Sequence, residues 1–332
     1  TDKFFIPVSH ALGTIQYLLT GGNATAQHII QVLIHGIIAW QIFMLCKDVA
    51  RRTNYKDFVS IGLIAGLLFI INPFQVEAVA WFASKSYGYT LLFSLIALRV
   101  LIKDNDGMKK HILFWTLMLI AIHCKEWAYA LPFIAICLMK ITNIKITNYF
   151  WIGFLLTIAT AILLRYFALG TFIGGYESGQ SFNISTVALH VLAYLVKFTT
   201  YIRLASTEFL PLPLLAFMSV AFTLFFVVIL FKDRIKKTTI FYFSALTVIT
   251  LLPVAGLEIT SFISNQSDRY SYFTLVPFSI LYGYVFINLK KWFGIISLFA
   301  LVGIFTFYSL NYNKRWVESS VAQYTFLESH LP

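Results

Sequence analysis

Asn72-Pro73-Phe74-Gln75-Val76-Glu77-Ala78-Val79-Ala80-Trp81, followed by Lys85, separates two apolar runs at about 57–71 and 87–102. A helix needs about 20 largely apolar residues to cross a hydrocarbon core of about 30 Å, so these runs read as membrane spans joined by a short polar loop. An ionisable group at membrane depth costs roughly 2.5 to 3.5 kcal/mol on insertion scales. A carboxylate and a cation held there face a partner, a cavity or a substrate. Pro73 stands where it can start a short helix, since its missing N–H would be unsatisfied at that position in any case.

Working outward, apolar runs recur at about 26–46, 111–123, 127–140, 149–169, 213–231, 239–255, 270–289 and 292–311, beside the two already named. Of the 332 residues 59% are hydrophobic and only 12% charged, and the mean hydropathy is +0.79. With no water to satisfy backbone groups inside a bilayer, the expected fold is all-α: a polytopic membrane protein of about ten transmembrane helices with further helices on the outer face. The basic residues fall in alternate loops: Lys47, Arg51, Arg52 and Lys56; Lys103, Lys109 and Lys110; Lys140 and Lys145; Lys232, Arg234, Lys236 and Lys237; Lys290 and Lys291. The positive-inside rule makes these loops cytoplasmic, and the net charge of +11 then records topology, not nucleic-acid binding. The segment 183–203 is placed on the outer face, lying along it or re-entering, with His190, Lys197 and Arg203 spaced at about two helical turns. An interfacial helix whose cations meet anionic headgroups is the alternative for that segment.

This topology sorts the acids. Glu77, Glu126, Glu177, Glu208, Glu258, Glu318 and Glu328 all fall on or near the outer side, as does Asp268. Four outer patches carry most of the polar content: Glu77 with Lys85, His123-Cys124-Lys125-Glu126-Trp127, Tyr176-Glu177-Ser178-Gly179-Gln180 with the 183–203 segment, and Ser267-Asp268-Arg269-Tyr270-Ser271-Tyr272. Taken singly, each also reads as a structural ion pair or a helix cap. The inner loops carry no Gly-rich phosphate cradle, Walker-type sequence or dinucleotide fingerprint, which speaks against a nucleotide-driven pump. Cys46, Cys124 and Cys137 form no CxxC pair and read as small apolar residues. The outer acids have no spacing that specifies a metal cage, so no metal site is assigned and dependence on a divalent metal stays open.

Four of these elements, in order, resemble the transmembrane O-mannosyltransferases that carry tetratricopeptide repeats and their bacterial relatives. Asn72-Pro73-(x)3-Glu77-Ala78-Val79 with Lys85 is similar to the family's His-Pro-(x)3-Glu-Ala-Val…Arg signature. Lys125-Glu126…Leu131-Pro132 resembles its Lys-Glu element, Leu189 to Leu214 its Leu-Thr-Tyr…Leu…Pro segment, and Asp268-Arg269-Tyr270…Tyr272 its Glu-Arg…Leu-Tyr element. The tail from Asn313-Lys314-Arg315-Trp316 to Leu331-Pro332 is similar to the linker before the first repeat.

The resemblance implies a glycosyltransferase of the C superfamily, with a transmembrane domain over 1–312 and an outer-side lead-in over 313–332. Such an enzyme transfers a sugar from a polyprenyl-phosphate donor to a protein hydroxyl or glycan on the outer or lumenal side. Partners would then be the lipid-linked sugar, membrane lipids, the acceptor and other membrane subunits, with the donor as substrate and no resident cofactor. Carried over by position, Glu77 is the acidic active-site candidate. Lys85, Lys125 and Arg269 are candidates for the donor phosphate, with Lys197 and Arg203 along the lipid-phosphate path. Glu126, Asp268, His190 and Tyr270 would support them, and Trp81, Trp127 and Tyr176 could stack on a pyranose.

The departures are specific. Asn72 stands for the family's His and Lys85 for its Arg, and a lysine lacks the fork that binds phosphate bidentately. The family's principal catalytic Asp lies in a first outer loop. Here Thr1-Asp2-Lys3 resembles the end of that loop and 4–19 the helix after it, so the Asp is expected upstream of Thr1 or is lost. A non-catalytic membrane subunit with the same fold is therefore the alternative of a different class, and a lipid-linked sugar flippase or transporter ranks below it because no inverted repeat is visible. The sequons at Asn23, Asn183 and Asn265 fit an endoplasmic-reticulum protein, whereas compact loops and Ile/Phe/Lys-rich usage favour a bacterial inner membrane.

Overall fold

The computed structural model describes residues 4–103, 107–172, 183–200, 237–254 and 268–330. Among these residues every regular element is helical and none is a strand. The apolar runs become α1 (Pro7–Thr20), α2 (Ala24–Thr53), α3 (Asp57–Ile71), α4 (Val76–Ala80), α5 (Lys85–Ile102), α6 (Met108–Cys124), α7 (Leu131–Ile141) and α8 (Asn148–Leu169). They continue as α9 (Ile184–Thr200), α10 (Lys237–Leu251), α11 (Leu275–Asn288) and α12 (Lys291–His330). The predicted span at 213–231 and the Lys232–Lys236 cluster lie outside the described residues.

The expected count of ten spans is not confirmed. Among the described residues four helices are long and apolar enough to cross a bilayer, beginning at Ala24, Phe82, Asn148 and Lys291, and a fifth span results if α3 and the Pro73–Ala80 segment, bent by 53°, are joined. Other runs read as spans are short: α6 has 17 residues and α7 has 11, the latter only about 17 Å at 1.5 Å per residue. Several apolar helices of this kind are compatible with a membrane protein. The last helix runs unbroken through Asn313, where the sequence reading placed a boundary.

Small residues set the closest approaches in the core. Gly62 and Gly66, four apart on α3, face α2, where an added Cβ would stand 2.6 Å from Cβ of Cys46 and 3.1 Å from the carbonyl of Ala39. Gly283 of α11 meets the carbonyl of Ile61 at 2.6 Å in the same sense. Helices in lipid gain nothing from excluding water from one another, so tight contact between backbones is what holds them. Buried polar pairs add to it. Gln16 of α1 donates to the carbonyl of Gln27 at 3.0 Å, and its side-chain oxygen accepts from Gln31 at 3.0 Å and from the Tyr89 hydroxyl at 2.6 Å, joining α1, α2 and α5. At the opposite end Arg99 of α5 bonds Asp48 at 2.8 Å and Gln41 at 2.6 Å on α2.

One such network positions the loops around Asn72 and Arg269. His35 lies 5% exposed between Tyr272, whose hydroxyl is 2.8 Å from Nδ1, and the carbonyl of Ile70, 3.3 Å from Nε2. A carbonyl only accepts, so Nε2 carries the proton and Nδ1 accepts from Tyr272. The segment before α11 is thereby tied to the end of α3, immediately before Asn72.

Candidate functional site

Asn72 is extended (φ −63°, ψ 125°), and its side chain accepts from the N–H of Phe74 at 3.0 Å, so the chain turns into a one-turn helix at Pro73–Gln75 and then α4. This is the helix restart expected at Pro73. Glu77 comes up in the first turn of α4 and is 5% exposed. Its partner comes from the far end of the chain, not from the nearby Lys85. The Arg269 guanidinium donates to Oε1 and the Arg269 backbone N–H donates to Oε2 at 2.8 Å.

Arg269 belongs to a one-turn helix, Asp268–Ser271, closed by the Ser271 hydroxyl donating to the Asp268 carbonyl at 2.6 Å. Its guanidinium also donates to the Tyr270 hydroxyl at 3.0 Å and lies 4.6 Å from the Tyr270 ring centre and 4.8 Å from that of Trp81. Trp81 stacks in turn on Trp316 of α12, with centroids 6.5 Å apart. Burial works against the Arg269 cation, but the Glu77 carboxylate, with Tyr270 and Tyr87, more than offsets this and holds the guanidinium above its ordinary value. Asp268 is 2% exposed beside it.

A second ionic cluster stands next to the first. Glu126 opens a short 3-10 helix after α6 and lies 4.0 Å from Lys125 and 3.3 Å from Arg165 of α8. Lys125 sits over the rings of Phe4 at 4.5 Å and Tyr87 at 5.5 Å. Burial pushes its ammonium below the ordinary lysine value; Glu126 pulls it back up, and the nearby Arg269 charge adds to the fall. Tyr87, 4% exposed, is shared, with its ring centre 6.4 Å from that of Tyr270. Lys125 thus sits over the Tyr87 ring, while the Arg269 charge is felt both by that phenol and by Lys125.

The remaining expected residues are dispersed. Lys85 points to α1: a Cβ on Gly13 would run into its ammonium, which also lies 4.2 Å from the Phe82 ring. Among the described residues no carboxylate comes within ion-pair distance of Lys85. The stacking role expected of Trp127 is corrected by its burial: it is 4% exposed, donates to the Thr250 carbonyl at 2.8 Å and is covered by Phe273 at 3.4 Å between centroids. No face of it is open to a sugar, whereas Trp81 is 39% exposed. His190 is half-buried on α9, which packs through Phe198 against Phe74 and Phe278. The side chain of Lys197 and all of Asp2, Tyr176, Glu177 and Arg203 lie outside the described residues.

Sequence reasoning missed Arg165 and Tyr87. Arg165 had a signal, a cation near the C-terminal end of an otherwise apolar helix. Tyr87 had none among 18 tyrosines. Among the described residues no three His, Cys, Asp or Glu side chains gather as a metal site would require.

Over 138 residues, 42% of its length, the chain is 25% identical to a protein O-mannosyl-transferase of Caenorhabditis elegans. The matched region spans 19% of that protein, about a fifth of it. No family model and no solved structure matches the chain. The similarity supports a distant relationship to a glycosyltransferase.

Proposed function

We propose that the protein is a membrane glycosyltransferase that moves a sugar from a polyprenyl-phosphate donor to a hydroxyl acceptor on the outer or lumenal side. The observation that carries this reading is the pair of desolvated cations, Lys125 over the Tyr87 ring and Arg269 close enough to lower the Lys125 pKa. A cation taken out of water gains most from a multiply charged anion, and the phosphate released when the glycosidic bond breaks is such an anion. Its developing charge would fall between the ammonium and the guanidinium, with the phenol as a further donor. Glu77 holds Arg269 in place, Glu126 lies between Lys125 and Arg165, and Trp81, partly exposed, offers aromatic surface to the sugar. The acceptor hydroxyl gives its proton to a carboxylate, for which Glu77 is the acidic candidate.

The test is transfer from labelled polyprenyl-phosphate mannose by the full-length protein in nanodiscs. Lys125→Gln and Arg269→Gln are each expected to lower kcat/KM at least tenfold while leaving the protein inserted. Full activity in both variants would refute the phosphate assignment. A second reading, a non-catalytic subunit that holds the lipid-linked sugar, is favoured by one detail: Arg269 already engages both Glu77 oxygens. Donor binding at the same residues without turnover in the full-length protein would select it.

A further inference from the structure

Two cavities meet at the end of the bundle opposite Glu77, where α2 ends and α3 and α6 begin. One, of about 430 Å³, is lined by Arg52, Lys110, His111, Asn143, Lys145 and Thr147. The other, of about 280 Å³, is a groove between α6 and α8 lined by Ile112, Trp115, Leu119, Ile152 and Leu156. Met108, His111 and Tyr149 line both, so the basic pocket opens directly into the apolar groove. We propose that this joint cavity binds one anionic phospholipid of the inner leaflet, its phosphate in the basic pocket and an acyl chain along the groove.

Four features specify a lipid, not a free phosphate. First, the groove floor faces lipid: Ile112, Ile152 and Leu156 are 54%, 54% and 64% exposed. Secondly, Trp115, only 6% exposed, gives the groove a rigid apolar wall midway along α6. It lies against α8 where Gly153 has no Cβ to exclude it. Thirdly, from Met108 to Leu119 along α6 is 11 residues, about 17 Å at 1.5 Å per residue, close to the thickness of one leaflet's hydrocarbon. The basic rim is at the headgroup end of that length, and Trp115 lies one turn below His111.

Fourthly, the charge is complementary and its geometry is prepared. Arg52 is oriented by the carbonyls of Ile102 and Lys103 at 2.9 and 2.7 Å, and Lys110 is only 8% exposed, with its ammonium 3.4 Å from the Lys103 carbonyl. Lys103, Lys109 and Lys140 are neighbours in sequence, and Asp104 and Asp106 in the same loop lie outside the described residues. Basic pockets between helices on the cytoplasmic side are suited to anionic headgroups. The site stands apart from the outer cluster and does not depend on the activity proposed for it.

Native mass spectrometry of the full-length protein in mixed micelles tests the proposal, with phosphatidylglycerol and phosphatidylcholine of identical chains as probes. Phosphatidylglycerol should be retained at least tenfold over phosphatidylcholine. Lys110→Gln/Lys145→Gln should cut that preference below threefold, while Lys47→Gln/Lys56→Gln, at exposed positions of the same end, should leave it intact. In the unaltered protein, raising salt from 0.1 to 0.5 M should weaken the preference, which keeps the test decisive if the double variant does not insert. Equal retention of the two lipids overturns the proposal. So does an equal loss in the Lys47/Lys56 control, or competition by chainless glycerol phosphate at the lipid's own concentration.

Discussion

Replacing Glu77 by Gln keeps the side-chain shape and removes its charge. The carboxylate is 6% exposed and its guanidinium partner 22%, so both belong to the regime in which breaking an ion pair costs about 3–5 kcal/mol, because the remaining charge stays buried. The amide oxygen of the variant can still accept from the Arg269 backbone N–H, which recovers about 1 kcal/mol. Glu77→Gln should therefore destabilise the Glu77–Arg269 site by about 2–4 kcal/mol. At 2 kcal/mol that is roughly a thirtyfold rise in the displaced population. Arg269→Gln should cost a similar amount. The double variant removes both members of the pair, so it should be more stable than the sum of the singles predicts, with a coupling of about 1.5–3 kcal/mol. The assay is a double-mutant cycle on unfolding midpoints in detergent, run beside sugar transfer by the full-length protein. Single effects that add to within about 0.5 kcal/mol would refute the pairing. Glu77→Gln with undiminished transfer would refute the active-site assignment whatever the stability result.

The other expectations concern positions with different surroundings. Because burial lowers the Lys125 pKa, its ammonium loses its proton before an ordinary lysine as pH rises; donor binding should fall at a pH below about 10.4. Lys125→Arg should move that loss to higher pH, and a pH profile unchanged in this variant would exclude Lys125 from the phosphate site. Lys85 has no carboxylate partner among the described residues, so Lys85→Ala should change stability by less than about 0.5 kcal/mol; any effect should appear in KM for the donor. Gly283→Ala places a Cβ 2.6 Å from a backbone carbonyl and should cost about 1–3 kcal/mol, measured by thermal unfolding. Gly303→Ala, which meets nothing within 4 Å, serves as its neutral control.

Reading spans from hydropathy located the helices within the described residues because apolar composition is a local property. It did not locate every break, because composition does not report where a helix breaks. The run at 127–140 contains a 3-10 turn through Ala130 before α7 begins, so its apolar residues serve as packing. Trp127 shows the same limit on a single residue. Its position beside Lys125-Glu126 suggested an open aromatic face, but one hydrogen bond to Thr250, 123 residues away, turns it into the core.

By itself the sequence determined that the chain is helical and lipid-compatible, and it singled out Glu77, Lys125, Glu126 and Arg269 as ionic interruptions of apolar stretches. Each of these follows from residue type and short-range spacing. Only the tertiary structure decided which charges meet. Lys85 follows Glu77 by eight residues, but extended backbone at Trp81 and the turn Phe82–Ser84 intervene, and Lys85 is carried to Gly13 instead. Arg269, 192 residues away, takes its place because His35 and Tyr272 tie its loop to the end of α3. Arg165 reaches Glu126 in the same manner, across the packing of α6 and α8. A buried carboxylate needs its cation at hydrogen-bonding distance, and in a helical bundle that distance is set by which helices pack together, a relation that spacing along the chain does not encode.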